Sequence, residues 1–301
     1  RVFLPPKDLC PLCASTADKL TEIPDKDYEV VVFTNRSPAL TTPSNNWSLP
    51  QITGIDTPNA DAAGACEVVC YTSDHGASFA KLSEKQIRTV LEAWKDRDNA
   101  LSKLPFIKHI FPFENRGEEV GVTLSHPHGQ IYAYSFLPPR IEKMLEAAKA
   151  HLVKTGRVLL DDVIAREIKD QKRIISQNAE WIAYVPFAAR YPFEIHLAPK
   201  RGVASMGELD ELQSAAFPAI AKEILTRLDG VFGIEMAYIA SWYQAPVNVG
   251  RDCLRLHWQI VSVRRQPGKL KYLSGSESAM GAFIMDLEPE QSAQQLKDVK
   301  L

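Results

Sequence analysis

Two histidines separated by one residue stand in the run His126-Pro127-His128-Gly129-Gln130. In an extended segment, residues two apart face the same side, so His126, His128 and Gln130 would share one face. Pro127 removes a backbone donor and Gly129 removes a side chain, which would let a phosphate group approach the backbone closely. Two of only seven histidines lie in this run. The pattern therefore favours phosphate chemistry over the alternative, a polar strand end with incidental histidines.

A second motif is the C-x-x-C pair CPLC at residues 10–13. Such a pair is either a redox centre or half of a zinc site. A redox pair usually begins a helix in a βαβ unit, and the sequence around residues 10–13 does not read that way. Zinc needs two further ligands. A third interpretation is that the two thiols are small buried side chains without a ligand.

The other zinc ligands would come from Cys66, Cys70, His75 or His126. Cys66 and Cys70 stand at the start and end of a predicted strand, which suits core packing better than chelation. His75 lies in a predicted turn just past that strand, which suits a ligand. We therefore expect a closed structural zinc site made of Cys10, Cys13, His75 and His126.

Two further polar runs follow predicted strands, FTNRSP at 33–38 and FENRG at 113–117. Their amide and guanidinium groups could bind a base or a phosphate. On these residues alone, ordinary strand ends explain the runs equally well.

The elements that would position these residues follow from hydrophobic periodicity. Ser83 is typical of a helix N-cap, and Ile87, Val90, Leu91 and Trp94 then form one apolar stripe. The pattern predicts strands at about 28–33, 67–71, 106–113, 129–136, 181–187, 193–198, 235–242 and 256–264. It predicts further helices at about 139–152 and 207–229. Residues 41–64 and 265–282 are predicted to be loops.

Each half of the chain thus has the order strand, strand, helix, strand, strand. The last strand of each half also matches in letters, HGQIYAY at 128–134 against HWQIVSV at 257–263. A shared H-x-Q-I at the same place indicates duplication. We expect an α+β fold of two halves with antiparallel sheets, residues 1–155 and 156–301, packed as one unit.

Composition excludes several classes of protein. The chain has 301 residues and a formal net charge of −2, which argues against a general nucleic-acid binder. No apolar stretch is long enough to span a membrane. Five cysteines are too few for a disulfide scaffold of this length, which favours reduced thiols and a cytoplasmic location. Residue 1 is not Met, so we expect upstream residues to be missing.

Taken together, the motifs resemble the galactose-1-phosphate uridylyltransferase family of the histidine-triad superfamily. The resemblance spans nearly the whole chain, in family order, and rests on CPLC (10–13), FTNRSPAL (33–40), TSDH (72–75), FENRG (113–117), HPHGQIYAYSFLPPR (126–140), VPFAARYPFEIHLAPKR (185–201) and GKLKYLSGSES (268–278). It implies two histidine-triad-like halves and a homodimer. It also implies ping-pong exchange of UMP between UDP-glucose and galactose 1-phosphate.

In this resemblance His128 is the nucleophile that carries UMP, and zinc at His126 is structural. Gln130 stands where hydrolases of the superfamily carry a third histidine. An amide cannot protonate a leaving group but can hydrogen-bond a phosphoryl oxygen, so Gln130 favours transfer over hydrolysis. A related nucleotide-sugar phosphorylase tends to carry Ser in place of Pro127 and Gly129, so HPHGQ argues against it. A nucleotide-binding protein without catalysis would leave HPHGQ unexplained.

The resemblance also implies the substrate contacts. Asn35 and Arg36 would lie near the uracil and ribose, although the family often has Asp where Arg36 stands. The phosphate site would be lined by Asn115, Gly121 and Thr123. A segment that reaches the partner subunit's active site would contain Lys271, Gly275 and Glu277.

Some members hold a second metal with a glutamate and three histidines from G-W-H and H-A-H runs. The corresponding residues here are 241–243 (SWY) and 261–263 (VSV), so we predict that this second metal is absent. Family members also begin with an Arg-rich segment before C-x-x-C, which this sequence lacks.

Overall fold

The computed structural model describes residues 4–43 and 62–301, so most of the loop predicted at 41–64 lies outside the described residues. A nine-stranded antiparallel sheet forms its centre. Its strands are β1 (Val31–Thr34), β2 (Gly64–Cys70), β3 (His109–Arg116), β4 (His128–Tyr134), β5 (Ile174–Gln177), β6 (Trp181–Tyr184), β7 (Ile195–Pro199), β8 (Tyr238–Tyr243) and β9 (His257–Ser262). A separate hairpin pairs β10 (Arg264–Gln266) with β11 (Lys269–Leu270).

Six α-helices accompany the sheet in the described part of the chain. They are α1 (Glu84–Leu101), α2 (Pro139–Thr155), α3 (Leu159–Asp170), α4 (Glu211–Gly230), α5 (Gly275–Met280) and α6 (Pro289–Asp298). The two long helices α1 and α4 begin with capping boxes, Ser83 with Gln86 and Asp210 with Gln213. Each box satisfies two backbone donors at the helix start, which fixes where the helix begins. Within the described residues, no helix has the length and apolar character required to cross a membrane.

The strand order is β1-β2-β4-β3-β8-β9-β7-β6-β5. The two halves of this order match when each is read from its own edge inward. Strand β1 corresponds to β6, β2 to β7, β4 to β9 and β3 to β8, and β5 is an additional strand at the second edge. The halves join where β3 pairs with β8, Phe113 opposite Ser241. The H-x-Q-I motif thus stands on β4 in one half and on β9 in the other. This symmetry confirms the predicted α+β fold with a duplicated antiparallel sheet.

The core lies on the sheet face covered by α1 and α4. Aromatic side chains from both halves meet there, with Trp94 near Trp242 and Trp242 stacked on Trp258 at 5.5 Å between ring centroids. Because side chains alternate along a strand, His128 and Gln130 on β4 face the opposite side of the sheet from the buried Ile131. The helices therefore form the rigid support, and the chemistry-bearing side chains occupy the other face.

The predicted strands agree with the structure to within a few residues at most ends. The prediction of a loop over 265–282 was wrong, because β10, β11 and α5 lie in that segment. Helices α3 and α6 and strand β5 were not predicted. Helix α3 does carry an apolar stripe, including Leu160, Val163 and Ile164, which the sequence analysis overlooked; α6 is mostly polar, and β5 is only four residues long.

Candidate active site and metal centre

Four side chains from three parts of the chain converge beside β2 and β4. The ligand atoms of Cys10, Cys13, His75 and His126 all lie within 4.8 Å of one another. Cys13 Sγ is 3.4 Å from Nδ1 of His75 and 3.4 Å from Nδ1 of His126. In a tetrahedral zinc site the sulfur and nitrogen ligands are roughly 3.5 Å apart. The cluster can therefore hold a metal ion.

The Thr72 carbonyl fixes His126 in the tautomer that a metal needs, and the Ser125 hydroxyl is placed to accept from His75 in the same tautomer. His126 Nε2 donates to the carbonyl of Thr72 at 2.8 Å, and His75 Nε2 lies 3.1 Å from Ser125 Oγ. Each Nδ1 is then left with a lone pair for a metal. Burial, together with the neighbouring Cys10, raises the pKa of Cys13 to about 11. Thiolates in this place need a cation beside them, and a bound metal ion would supply it.

His128 is the first residue of β4, and its ring is oriented by the backbone. Its Nδ1 donates to the carbonyl of His126 at 2.7 Å, so Nε2 keeps its lone pair. Burial lowers the pKa of His128, with the bond to the His126 carbonyl opposing that shift. The imidazole is consequently neutral at pH 7, the form in which it acts as a nucleophile. The same residue that offers Nδ1 to a metal, His126, thus holds His128 through its backbone.

Gln130 lies two residues along β4 on the same face. Its Oε1 accepts a hydrogen bond from Asn35 Nδ2 at 3.2 Å, and Asn35 itself follows the end of β1. Asn35 Oδ1 accepts from the backbone N–H of Ser37 at 2.9 Å, which orients the amide. Because the oxygen of Gln130 is already engaged, its NH₂ group is the part available to a ligand.

A cavity of about 100 Å³ opens beside these residues. Its lining is formed by Phe113, Asn115, Gly121, Val122, Thr123, Leu124, His128, Gly129 and Gln130. Five of the predicted site residues, Asn115, Gly121, Thr123, His128 and Gln130, therefore meet at one place. Gly121 adopts φ +82°, a conformation that favours glycine, and it lets the chain turn back toward Thr123. No Asp, Glu, Lys or Arg belongs to this lining, so the cavity offers neutral hydrogen-bonding groups.

Gly129 has a packing role that the sequence did not indicate. A Cβ on Gly129 would lie 2.0 Å from Tyr71 Oη and 2.8 Å from the Phe113 carbonyl oxygen. That Cβ would point into the core, away from the face that carries His128. The missing side chain makes room for Tyr71; Gly129 also lines the cavity, so close approach of a phosphate to its backbone stays a prediction.

The other predicted substrate residues lie elsewhere in the chain. Arg36 is exposed and forms an ion pair with Glu22. Lys271 and Glu277 form a buried ion pair with each other, and Lys271 Nζ also donates to the Ile284 carbonyl at 2.9 Å. Neither these residues nor Gly275 line the cavity beside His128.

Sequence reasoning missed the groups that orient the site. Thr72 and Ser125 hold the two metal-site imidazoles, and Tyr71 packs beneath Gly129. Thr72 acts through its backbone carbonyl, which any residue would supply, so no residue type could have indicated it. Ser125 directly precedes the H-x-H run, and that adjacency was the one available signal.

Comparison with known proteins agrees with this geometry. Residues 3–138 match the family model described as galactose-1-phosphate uridyl transferase, N-terminal domain, and residues 144–300 match its C-terminal domain. A galactose-1-phosphate uridylyltransferase from Streptomyces lividans is 41% identical, covering 99% of this chain and 81% of that protein. One from Thermotoga maritima is 35% identical, covering 100% and 92%.

A solved structure described as a uridylyltransferase superposes with a TM-score of 0.87 at 32% identity, covering 98% of this chain and 90% of that one. The similarity extends over both halves and includes the segments that build the cavity and the metal cluster. This chain therefore belongs to the galactose-1-phosphate uridylyltransferase family and is a transferase enzyme.

Proposed function

We propose that this enzyme exchanges UMP between UDP-glucose and galactose 1-phosphate by a ping-pong reaction through a uridylyl group on His128. The observation that carries the proposal is the orientation of His128. Its Nδ1 is held by the His126 carbonyl at 2.7 Å, and the ring lines the cavity with Nε2 unused. Covalent transfer splits one difficult exchange into two easier steps.

In the first step, the Nε2 lone pair of His128 forms a bond to the α-phosphorus of UDP-glucose. The bond from that phosphorus to the bridging oxygen breaks, and glucose 1-phosphate leaves with the electron pair. The proton on Nδ1 stays in place, so the uridylylated ring is cationic and the His126 carbonyl stabilises it. In the second step, a phosphate oxygen of galactose 1-phosphate attacks the same phosphorus, and the electrons of the N–P bond return to His128.

Gln130 supplies hydrogen bonds rather than protons. With Oε1 accepting from Asn35, its NH₂ group donates to a phosphoryl oxygen, whose negative charge it stabilises during both steps. A sugar phosphate leaves without protonation, so no acid is required for transfer. Hydrolysis gains nothing from Gln130, since an amide does not accept or release a proton at neutral pH.

We further propose the substrate contacts that the family resemblance implies. The N–H of Gly121 and the side chains of Asn115 and Thr123 would hold the phosphates, supported by their place in the cavity. Asn35 would also contact the uridine, and Arg36 would lie near the ribose.

Lys271, Gly275 and Glu277 would reach the sugar from the other subunit of a homodimer, because they do not line the cavity of their own chain. Mixing subunits tests this arrangement. A His128→Ala subunit and a Lys271→Ala subunit, each inactive alone, should form mixed dimers with one complete active site. No recovery on mixing would contradict a shared site.

The ion at Cys10, Cys13, His75 and His126 we propose to be zinc, in a structural role. Two thiolates and two imidazoles are ligands that zinc prefers, and the cluster is buried. The ion would hold the amino-terminal segment against β4 and stiffen the backbone that aims His128. We also propose that residues 1–155 and 156–301 are the two structural units, and that the enzyme is cytoplasmic, as its cysteine usage indicates.

The decisive experiment follows the uridine label. The protein is incubated with UDP-glucose labelled in the uridine and isolated, and the label should be acid-labile and base-stable. His128→Ala should carry none, while His109→Phe, which replaces a buried histidine outside the site, should carry it as the wild type does. Label retained in His128→Ala would refute the intermediate.

A chase identifies the acceptor. Galactose 1-phosphate should release the label as UDP-galactose. Release by inorganic phosphate alone would instead indicate a phosphorylase. A wild-type protein that binds UDP-glucose but never becomes labelled would be a binding protein without catalysis.

A further inference from the structure

The second half of the chain contains a cavity of about 800 Å³ beside β9, which we call the second-half cavity. His257 and Gln259 line it, and they occupy on β9 the places of His128 and Gln130 on β4. Its volume is within the range of pockets that bind organic ligands, roughly 300–1,000 Å³. Duplication has thus left a second concave site, and no role in the proposed reaction uses it.

The histidine of this cavity is oriented like the nucleophile but is chemically blocked. His257 Nδ1 donates to the Arg255 carbonyl at 3.0 Å, two residues back, as His128 does to His126. The amide of Gln259, however, donates to His257 Nε2 at 2.9 Å and uses its lone pair. The arrangement therefore suits binding rather than nucleophilic transfer.

The group that holds the glutamine differs between the halves. Gln130 Oε1 accepts from the neutral Asn35, whereas Gln259 Oε1 accepts from two guanidinium groups, Arg140 at 2.7 Å and Arg190 at 3.2 Å. Two cations converging on one neutral oxygen repel each other, and an anion beside them would relieve that repulsion.

Most charges around the cavity are already paired. The pairs are Arg190 with Glu194, Arg173 with Glu167, Arg166 with Asp170, Arg255 with Asp161, and Asp162 with Arg157 and His151. Arg140 forms no ion pair with any carboxylate in residues 4–43 and 62–301; it stacks over the Tyr243 ring at 4.7 Å. Arg173 has a second carboxylate partner, Glu290, so Arg140 is the lining arginine that has none in the described residues.

Other walls of the cavity show what else a ligand must provide. Tyr184 Oη and Glu167 Oε2 are buried and have no hydrogen-bond partner in the part of the chain that the structure describes. A buried carboxylate oxygen and a buried phenol without partners are costly, and hydroxyl groups on a ligand would satisfy both. Apolar side chains of α3, including Leu160 and Val163, form a further wall that fits an organic body.

We propose that the second-half cavity binds a phosphorylated, hydroxyl-bearing organic molecule of nucleotide size. Its phosphate contacts Arg140 and Arg190, since guanidinium groups pair with phosphate through strong charge-assisted hydrogen bonds. Its hydroxyl groups reach Glu167 and Tyr184.

Equilibrium dialysis with radiolabelled UMP counts the sites. Wild-type protein should bind one more UMP per chain than Arg140→Ala, in which affinity at the second-half cavity falls about tenfold or more. Lys143→Ala removes a positive charge from the exposed surface of the same helix, outside the cavity, and should bind as the wild type does. Equal numbers of sites in the wild type and Arg140→Ala would overturn the proposal.

Two further measurements keep the test independent of folding and of the active site. Val163→Trp fills the cavity without removing a charge, and it should abolish the same UMP site; retention of that site would overturn the proposal. Inorganic phosphate should bind there at least tenfold more weakly than UMP, and equal affinity would refute an organic ligand. Labelling of His128 by UDP-glucose should remain unchanged in Arg140→Ala. This measurement reports the active site alone, so its result does not depend on UMP binding in the second-half cavity.

Discussion

Replacement of Gly129 by alanine tests how the packing beneath β4 supports catalysis. The new Cβ would lie 2.0 Å from Tyr71 Oη, where ordinary contacts begin at 3.4 Å, so one group must move by roughly 1.4 Å. Tyr71 is fully buried and packs edge-on against Phe79 and Trp94, with centroids 5.4 and 5.8 Å away. Strand β4, rather than the side chain of Tyr71, should therefore move.

The expected loss of stability is that of overpacking a core, about 1–3 kcal/mol. In a protein of this size, that lowers the melting temperature by about 2–6 °C. Because His128 is the neighbouring residue, a strand displacement of about 1 Å should also reduce uridylyl transfer by about 100-fold. Stability and activity should thus fall together.

Circular dichroism melting and the rate of UDP-galactose formation measure the two effects. Tyr71→Phe removes the hydroxyl that the new Cβ would meet, and this hydroxyl is buried without a hydrogen-bond partner in the described residues. The double variant Gly129→Ala/Tyr71→Phe should therefore recover part of the lost stability and part of the lost activity. Gly76→Ala is the matched control, because its Cβ would meet only Asp74 Oδ1, at 3.7 Å. An unchanged melting temperature with lost activity would refute the packing argument and favour close approach of a phosphate instead.

Three other predictions follow from the geometry. Cys13→Ser should reduce bound zinc from about one per chain to none and lower the melting temperature. Cys253→Ser, outside the cluster, should keep the metal. Metal analysis that finds equal zinc in the two variants would contradict the site. Asn35→Ala frees the oxygen of Gln130 and should lower kcat about tenfold, and it should also raise KM because Asn35 would contact the uridine; an unchanged kcat in steady-state kinetics would argue against a role for the hydrogen bond to Gln130. Burial lowers the pKa of His109 to about 4 in the folded chain. Between pH 6.5 and 4, His109 is therefore protonated in the unfolded chain but neutral in the folded chain, which favours unfolding as the pH falls. The free energy of unfolding should then fall by about 3 kcal/mol between pH 6.5 and 4, and urea titrations of His109→Phe should show a shallower decline.

Much of the framework was predictable from local patterns. The apolar stripe from Ile87 to Trp94 predicted α1, and alternating residues predicted β4, because burial on one face leaves a periodic trace in the sequence. The repeated H-x-Q-I then indicated duplication. The four expected metal ligands also came from the sequence, since few thiols and imidazoles lie where a turn could bring them together.

Other features depended on contacts that leave no local trace. The role of Gly129 is set by Tyr71, which comes from the neighbouring strand and faces the core. The tautomer of His126 is set by the backbone carbonyl of Thr72, a group that is the same for every residue type. The sequence placed Asn35 near a base, but only the structure showed that it holds Gln130.

The sequence by itself determined the duplicated fold, the candidate nucleophile and the four residues that could hold a metal, because residue type and period carry that information. Tertiary structure alone decided the direction in which each polar group points. The two H-x-Q-I motifs differ in the long-range partner that donates to the glutamine oxygen, which is Asn35 in one half and Arg140 with Arg190 in the other. In the described residues, Nε2 of His128 has no hydrogen-bond partner, whereas Nε2 of His257 accepts from Gln259, and a lone pair can be used only once.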